Sequence, residues 1–399
     1  MNKPAPQALD YLGGLTAEQF IEQYWQKKPL LIRSAFSDTE SWVDADTLAG
    51  LALEEDVESR IVSGHPDLGS DSWQLQQGPL EESTFATLGD ENWTLLVQAV
   101  DHYLPEVAQL MPCFDFIPGW RQDDIMASYA VPGGSVGPHY DQYDVFLLQG
   151  SGTKTWQVGE VCDQHSNLLE NCPLSILEQF NPQQSWTLAP GDMLYLPANW
   201  SHFGVADTEG ITLSVGFRAP STQEFLDHFV GLCATQFGNK IHYQDADLTT
   251  QKNNGWIDPK AVHTFQSLLQ DLIQDEQKIA LTLAQLGSQS KYPHHSPNQD
   301  ADEMMPLSEV LDNIESSLIR DENTRINYLG DQACPQQLFI NGERVDFPAN
   351  AQIEKLILLL AHQRTIEISS LVPLLENKDC FQWFQRLYNS GHFYYQEGD

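Results

Sequence analysis

Apolar residues in the first half of this chain come in short runs that are separated by turn-forming residues. DVFLLQG (144–150) is rich in β-branched and aromatic side chains, which is typical of a strand. SWTLAPGDMLYLPANWSHFGV (185–205) has the order strand, Pro-Gly turn, strand and short loop. These runs predict an antiparallel barrel that holds its functional residues at the mouth.

Helical spacing replaces this pattern after residue 220. Ser221 is a suitable N-cap for a helix in residues 221–238, whose apolar stripe is Phe225, Leu226, Phe229 and Leu232. Residues 258–287 continue with a second stripe, closed by Gly287 and made of Val262, Phe265, Leu268, Leu269, Leu272 and Ile273. Such stripes are expected to pack mainly within their own domain.

A loop is predicted at residues 288–306, which contain turn formers and charges but little periodicity. His294 and His295 are adjacent in this segment. Neighbouring loop residues rarely converge on one ion, so a solvated loop is favoured here over a metal site.

The last section of the chain has the order of a small winged-helix-like module. Its predicted elements are a helix at 307–319, short strands around 336–348, helices at 353–361 and 368–376, and the final run HFYYQ at 392–396. Asn341-Gly342 is a strong hairpin-turn signal between the β-like runs. A winged helix suggests DNA binding, but from Ile319 onward there are seven Lys or Arg and eleven Asp or Glu. A protein-contact role is therefore favoured.

The whole chain is strongly acidic, with 56 Asp or Glu, 20 Lys or Arg and a net charge of −36 over 399 residues. Such a field repels nucleic acid and speeds the encounter with basic partners. Solubility or adaptation to a salty habitat would explain the same charge. Steering of a cationic protein substrate is the functional interpretation.

Composition also predicts a cytoplasmic protein that does not associate with a membrane. No stretch approaches the ~18 apolar residues of a membrane span, and the first residues, MNKPAPQALDYLGG, lack the order of a signal peptide. The six cysteines form no C-x-x-C pair, which is typical of reduced thiols.

Candidate chemistry is concentrated in His139, Asp141 and His202, a His-x-Asp pair followed by a later histidine. Two histidines and a carboxylate, with other positions open, are the ligand set of non-haem Fe(II) oxygenases. Alternating strand positions would let His139 and Asp141 reach one ion from one strand. His202 would complete the set from a strand packed opposite.

These segments resemble the JmjC-type branch of the 2-oxoglutarate- and iron-dependent oxygenases, within the cupin superfamily. FIEQYWQKKPLLIRSAF (20–36), residues 123–159 and LSVGFRAPS (213–221) are similar to the ribosomal-oxygenase subgroup. The resemblance implies a mainly β fold with α: a cupin-type double-stranded β-helix barrel (1–220), a helical domain (221–305) that makes a homodimer, and a winged-helix-like domain (306–399).

A dicarboxylate that chelates iron also needs a cation for its distal carboxylate. Lys154 lies in GTKTWQV, where strand alternation can turn it inward beside Trp156. The resemblance gives this position the basic residue for 2-oxoglutarate, and it adds Tyr129 and Ser214 as further lining residues of the cosubstrate pocket.

Substrate recognition is expected from carboxylates near the mouth of the barrel. A guanidinium target would favour a bidentate carboxylate partner. The resemblance makes Asp124 the first candidate, and Asp144 follows the metal pair closely in sequence.

The predicted function is therefore an Fe(II)- and 2-oxoglutarate-dependent protein hydroxylase that uses O₂. The resemblance implies an arginine of a large-subunit ribosomal protein as the target. The alternatives are a cupin enzyme that acts on a small metabolite without 2-oxoglutarate, a peptide-binding module without activity, and a histidyl hydroxylase or lysine demethylase of the same superfamily.

Overall fold

The computed structural model describes residues 8–66, 72–235, 242–292 and 306–396, which form two compact units, Met1–Ala219 and Pro220–Asp399. The helices of the first unit are α1 (Ala17–Gln23), α2 (Ala45–Leu51), α3 (Glu82–Thr87) and α4 (Pro105–Ala108). Its strands are β1 (Leu30–Ile32), β2 (Ser59–Ser63), β3 (Gln74–Gln77), β4 (Trp93–Val97), β5 (Gln122–Ala130), β6 (Val145–Gln149), β7 (Lys154–Val161), β8 (Gln184–Leu188), β9 (Met193–Leu196), β10 (Trp200–Ala206) and β11 (Gly210–Phe217).

Two antiparallel sheets build this unit. The major sheet has the strand order β1-β9-β6-β11-β5-β4-β2-β3, and the minor sheet has the order β10-β7-β8. Neighbours that are distant in sequence, such as β6 and β11, pair directly, as they do when a double-stranded β-helix closes. The arrangement confirms the predicted cupin-type barrel.

The major sheet has two different faces. Its inner face meets the minor sheet in an apolar cluster made of Val145, Leu147, Trp156, Val158, Leu188, Leu194 and Leu196. Its outer face packs on residues of the N-terminal helices and loops, including Phe20, Leu48 and Phe114. Because side chains alternate along each strand, neighbouring residues of a strand point to opposite faces of the sheet.

The second unit contains helices and two small sheets. Its helices are α5 (Thr222–Thr235), α6 (Pro259–Ile273), α7 (Glu276–Gly287), α8 (Leu307–Val310), α9 (Ala351–His362), α10 (Ile368–Leu375) and α11 (Lys378–Asn389). Its strands are β12 (Ser317–Arg320), β13 (Ile326–Asp331), β14 (Cys334–Ile340), β15 (Glu343–Val345), β16 (Thr365–Glu367) and β17 (Phe393–Gln396). The sheet orders are β16-β12-β17 and β13-β14-β15.

Two local predictions are confirmed in this unit. Ser221 Oγ accepts the Glu224 backbone N–H at 3.1 Å, so Ser221 is the N-cap of α5. Asn341 and Gly342 both have positive φ, 49° and 82°, and join β14 to β15 in the predicted hairpin turn.

The predicted helix at 307–319 is wrong in its second half. Helix α8 ends at Val310, and residues 317–320 form β12 instead. This strand pairs with β16 on one side and β17 on the other, and Leu318 is fully buried there. Pairing with strands far along the chain outweighs the local helical pattern.

The apolar stripe of α6 packs only in part within the chain: Phe265 stacks on Tyr243, and Leu268 and Leu272 are half-buried. Val262, Phe265, Leu269 and Ile273 remain 54–60% exposed. The stripe of α5 behaves differently, because Phe229 and Leu232 are buried.

His294 and His295 lie outside the described residues. None of the described helices is long and apolar enough to cross a membrane.

Candidate metal centre and cosubstrate pocket

The two candidate histidine ligands are held together by the backbone. His139 lies between β5 and β6 and forms an isolated antiparallel bridge with His202 of β10. The His139 N–H donates to the His202 carbonyl at 3.0 Å, and the His202 N–H donates to the His139 carbonyl at 2.8 Å. Their ring centroids are 4.3 Å apart. The expected single strand for His139 and Asp141 is absent, since His139 is the one residue of 138–144 that forms a β-bridge.

Asp141 completes a cluster of three ligand atoms. Its Oδ2 lies 3.6 Å from His202 Nε2, and one ligand atom each from His139, Asp141 and His202 lie within 4.8 Å of one another. The Asn199 N–H donates to the Asp141 carbonyl, which ties this segment to the turn before β10. The sequence motif is therefore brought together in space as a possible metal centre.

Hydrogen bonds orient both histidine rings. Nδ1 of His139 lies 2.9 Å from the Gly137 carbonyl, and Nδ1 of His202 lies 2.9 Å from the Trp200 carbonyl. With Nδ1–H as the donor in each ring, Nε2 is left as a ligand. Burial, reinforced by His139, lowers the pKa of His202 to about 4, so the ring is neutral and available to a metal.

Lys154 begins β7 and points to the inner face beside Trp156, as strand alternation predicts. Lys154 is only 7% exposed, and its Nζ lies 4.8 Å from the centroid of the Trp156 ring. Burial lowers the pKa of Lys154 to about 8. No carboxylate within the described ranges pairs with this ammonium group. A buried cation without an anion fits a site for an acidic ligand.

Trp156 supplies a second feature of that pocket. It is 5% exposed, and its Nε1 has no hydrogen-bond acceptor in the part of the chain that the structure describes. Leaving such a donor unsatisfied costs about 1–3 kcal/mol. Together with Lys154, this donor fits a bound carboxylate, so the pocket suits a dicarboxylate that chelates a metal held by the triad.

Ser214 lies on the same inner face as these residues. It pairs in register with Leu147 of β6, which belongs to the inner apolar cluster, and with Met126 of β5. Ser214 therefore faces the inner cluster, and its role as a cosubstrate contact stays a prediction.

Tyr129 is on the wrong side of β5 for the predicted role. It packs against the outer-face cluster, with its ring centroid 5.6 Å from that of Trp93. With Glu209 it lines a surface cleft, and burial and a hydrogen bond to Glu209 raise its pKa. The expectation that Tyr129 lines the cosubstrate pocket is wrong, because alternation turns it away from the inner face.

Asp144 also departs from its predicted role as a substrate contact. It is completely buried and accepts hydrogen bonds from Tyr195 at 2.6 Å, Gln26 at 2.9 Å and Arg121 at 3.4 Å. These partners tie an N-terminal segment to the barrel. Both carboxylate oxygens of Asp144 already accept hydrogen bonds within the chain, so we interpret Asp144 as a structural anchor.

Asp124 remains a candidate for contacting the substrate. It is 3% exposed, and its Oδ2 accepts a hydrogen bond from the Gln98 amide at 2.7 Å. Tyr143, which was not predicted from the sequence, is an exposed aromatic residue (42% exposed) two positions after the candidate ligand Asp141. The negative charge of Asp141 is the main cause that raises the pKa of Tyr143, and Asp124 raises this pKa further. The signal was the position of Tyr143 two residues after a metal ligand.

Comparisons with known proteins match this architecture along nearly the whole chain. A JmjC domain model matches residues 109–225, and a ROXA-like winged-helix model matches residues 271–394. The chain is 32% identical to the ribosomal protein uL16 3-hydroxylase of Escherichia coli, covering 97% of this chain and 100% of that protein. A probable ribosomal oxygenase of Haemophilus influenzae is 33% identical, covering 83% and 82% of the two chains.

Solved structures show the same similarity in three dimensions. The structure of the E. coli ribosomal oxygenase YcfD in complex with cobalt and 2-oxoglutarate is 31% identical with a TM-score of 0.78. The match covers 96% of this chain and 99% of that one. A metal and 2-oxoglutarate are thus bound in a structurally similar protein.

Proposed function

The chain belongs to the JmjC ribosomal oxygenase family, a family of 2-oxoglutarate-dependent oxygenases, and on that premise we propose that it is an Fe(II)-dependent hydroxylase of a large-subunit ribosomal protein. The observation that carries the proposal is the convergence of His139, Asp141 and His202 beside the buried Lys154. Three ligands leave coordination positions open for a bidentate cosubstrate and O₂.

His139, Asp141 and His202 would hold Fe(II), and Lys154 would bind the distal carboxylate of 2-oxoglutarate. When bound, the iron and its cosubstrate supply the oxidation: O₂ is consumed, 2-oxoglutarate becomes succinate and CO₂, and one oxygen atom enters a substrate C–H bond. The E. coli complex with cobalt and 2-oxoglutarate supports this assignment.

The chain's own residues prepare the site for this chemistry. The Gly137 and Trp200 carbonyls fix the histidine rings, so that their Nε2 atoms face one point. The inner apolar cluster around Leu147 and Trp156 gives the pocket apolar walls, and a low local dielectric strengthens the attraction between Lys154 and a carboxylate. Ser214 is proposed as a further polar contact of the cosubstrate.

Asp124 is the proposed contact of an arginine substrate. The Gln98 amide donates a hydrogen bond to one oxygen of its carboxylate, which fixes the orientation of the group. A guanidinium group can pair with one carboxylate through two parallel N–H donors, which an imidazole or a methylated ammonium group cannot do. This chemistry supports arginine over the histidine and lysine alternatives.

The partner is proposed to be a basic ribosomal protein, with uL16 as the first candidate, because the E. coli relative is a uL16 3-hydroxylase. The net charge of −36 would attract such a protein and disfavour direct contact with nucleic acid. A ribosomal protein is made in the cytoplasm, so the activity is proposed to reside there.

A homodimer is proposed through α6. Its exposed stripe of Val262, Phe265, Leu269 and Ile273 is continuous along one helix face, which suits burial against a second copy. This proposal assigns residues 221–305 to dimerisation, between the barrel (1–220) and the winged-helix-like domain (306–399).

The direct test is to supply the iron-loaded protein with 2-oxoglutarate, O₂ and purified uL16 from the same cell. Succinate formation that depends on uL16, with one added oxygen on an arginine, supports the proposal. Oxidation of a histidine, or demethylation of a lysine, would replace the substrate assignment. If 2-oxoglutarate neither binds nor turns over, a metabolite-directed cupin or a binding module would replace the enzyme class.

A further inference from the structure

We propose that Trp156 is a second hydrogen-bond donor to the cosubstrate, its Nε1–H binding the same distal carboxylate that Lys154 neutralises. The inference rests on the proposed 2-oxoglutarate site and adds a residue to it. The chain then recognises the distal carboxylate with one charged and one neutral donor.

The buried indole N–H of Trp156 has no acceptor among the described residues. An indole Nε1–H is a donor only, and buried donors in folded proteins almost always have a partner. Trp156 is only 5% exposed, and no described residue accepts a hydrogen bond from its Nε1–H. Since none of the described residues is the acceptor, we assign this role to a ligand, with a buried water as the alternative.

The indole ring of Trp156 lies against Gly204. Trp156 pairs in register with Gly204 of β10, and a Cβ atom at position 204 would lie 2.6–2.7 Å from three atoms of the six-membered ring. The outer edge of the six-membered ring thus occupies the space that the missing side chain of Gly204 leaves. The five-membered ring, which carries Nε1, is at the other end of the indole, away from that contact.

Two groups of the proposed site lie near this ring. Lys154 Nζ lies 4.8 Å from the Trp156 ring centroid, and the ring centroid of His202 lies 5.9 Å from it. The indole is therefore close both to the basic residue of the pocket and to a proposed metal ligand. A carboxylate has two oxygens, so one can accept from the ammonium group and the other from Nε1.

The ring has a second effect on the same pocket. An ammonium group within about 6 Å of an indole centroid is attracted by the negative face of the ring. No described carboxylate pairs with Lys154, so the aromatic ring is a source of stabilisation for its charge before the cosubstrate arrives. Trp156 would therefore both bind the carboxylate and position the lysine that binds it.

The experiment separates these roles from general packing by measuring binding without turnover. Full-length protein is loaded with Zn(II), and the affinity for 2-oxoglutarate is measured by calorimetry for wild type, W156F and W186F. Trp186 is a matched control, because it pairs directly with Trp156 on β8 and packs against the same cluster. W156F keeps an aromatic ring but lacks the donor.

We expect W156F to bind 2-oxoglutarate about tenfold more weakly or worse, since hydrogen bonds to charged groups are the stronger ones. Its affinity for Zn(II) should be unchanged, and W186F should bind 2-oxoglutarate like wild type. Equal affinities of W156F and wild type would overturn the inference and assign Nε1 to a buried water. If wild type itself binds no 2-oxoglutarate, the proposed function fails instead.

A spectroscopic measurement tests the same hydrogen bond in the wild-type protein. In ¹⁵N-labelled, Zn(II)-loaded protein, 2-oxoglutarate should move the Trp156 indole N–H resonance downfield, as a stronger hydrogen bond requires. The resonance is assigned by its absence in W156F or, if that variant does not fold, in W156Y. A resonance that stays in place while 2-oxoglutarate saturates the site would contradict the inference.

Discussion

His139 and His202, 63 residues apart in sequence, exchange backbone hydrogen bonds in both directions, so that each N–H donates to the carbonyl of the other. These bonds set the separation of the two rings independently of any metal. Because Asp141 follows His139 by two residues, the same contact also brings the carboxylate close. The ligand geometry is built into the fold, as a preorganised site requires.

Metal removal should therefore leave the protein folded. We expect the chelator-treated protein to unfold cooperatively in urea, and Fe(II) at about 100 times its dissociation constant to add about 2.7 kcal/mol of stability. The H202A variant should lose the metal-dependent increment. An apoprotein without a cooperative transition would show that the ion, rather than the backbone, organises the site.

The affinity for 2-oxoglutarate should fall at high pH. Burial lowers the pKa of Lys154 to about 8 in the empty pocket, so the ammonium form dominates below that pH and the neutral amine above it. We expect a constant dissociation constant below pH 8 and an increase of about tenfold per pH unit above it.

The matched variant for this titration is K154R, because a guanidinium group stays charged throughout the range. Its affinity should be independent of pH up to about pH 10. A pH profile shared by wild type and K154R would assign the titration to a different group.

Loss of the Asp144 charge should destabilise the fold without a specific effect on substrate. The buried carboxylate accepts hydrogen bonds from Tyr195, Gln26 and Arg121. We expect D144N to lose about 2–3 kcal/mol of unfolding free energy in urea. The KM of the folded variant for uL16 should match that of wild type, and a raised KM with unchanged stability would restore the role as a substrate contact.

Asp124 should show the opposite behaviour. D124N keeps the size of the side chain and an oxygen for Gln98, but it loses the charge that attracts a guanidinium group. We expect kcat/KM for uL16 to fall at least tenfold, as expected for the loss of a charge-assisted contact. Binding of 2-oxoglutarate should be unchanged. A D124N enzyme with wild-type kcat/KM would remove Asp124 from the substrate site.

A charge in the exposed stripe of α6 should prevent self-association. We expect F265E to be a monomer in analytical ultracentrifugation, while wild type is a dimer. The control is Q266E, at a neighbouring exposed polar position of the same helix. Binding of 2-oxoglutarate should be equal in all three proteins. A monomeric wild type would overturn the dimer proposal.

Much of the site could be predicted because its residue types are rare in combination. The combination of a His-x-Asp pair, a later histidine and an inward lysine on a strand is typical of a site that binds a metal and an acidic cosubstrate. The fold brings all four residues to the inner side of the barrel. The sequence did not show that His139 pairs at one residue instead of within a strand, since that depends on the partner segment.

The wrong predictions share a physical cause. Asp144 and Tyr129 are polar side chains close in sequence to functional residues, but their strand parity or burial directs them to the outer face. Residues 317–320 look helical locally and become a strand because two distant strands pair with them. Such contacts depend on the tertiary structure, which short sequence patterns do not contain.

The most direct test of the central claim follows the oxygen atom. Iron-loaded protein is supplied with uL16, 2-oxoglutarate and ¹⁸O₂, and the products are analysed by mass spectrometry, with H139A as the control. The account predicts one ¹⁸O atom on an arginine of uL16 and one in succinate for each turnover, and neither with H139A. Succinate without labelled uL16, or labelled uL16 with H139A, would contradict it.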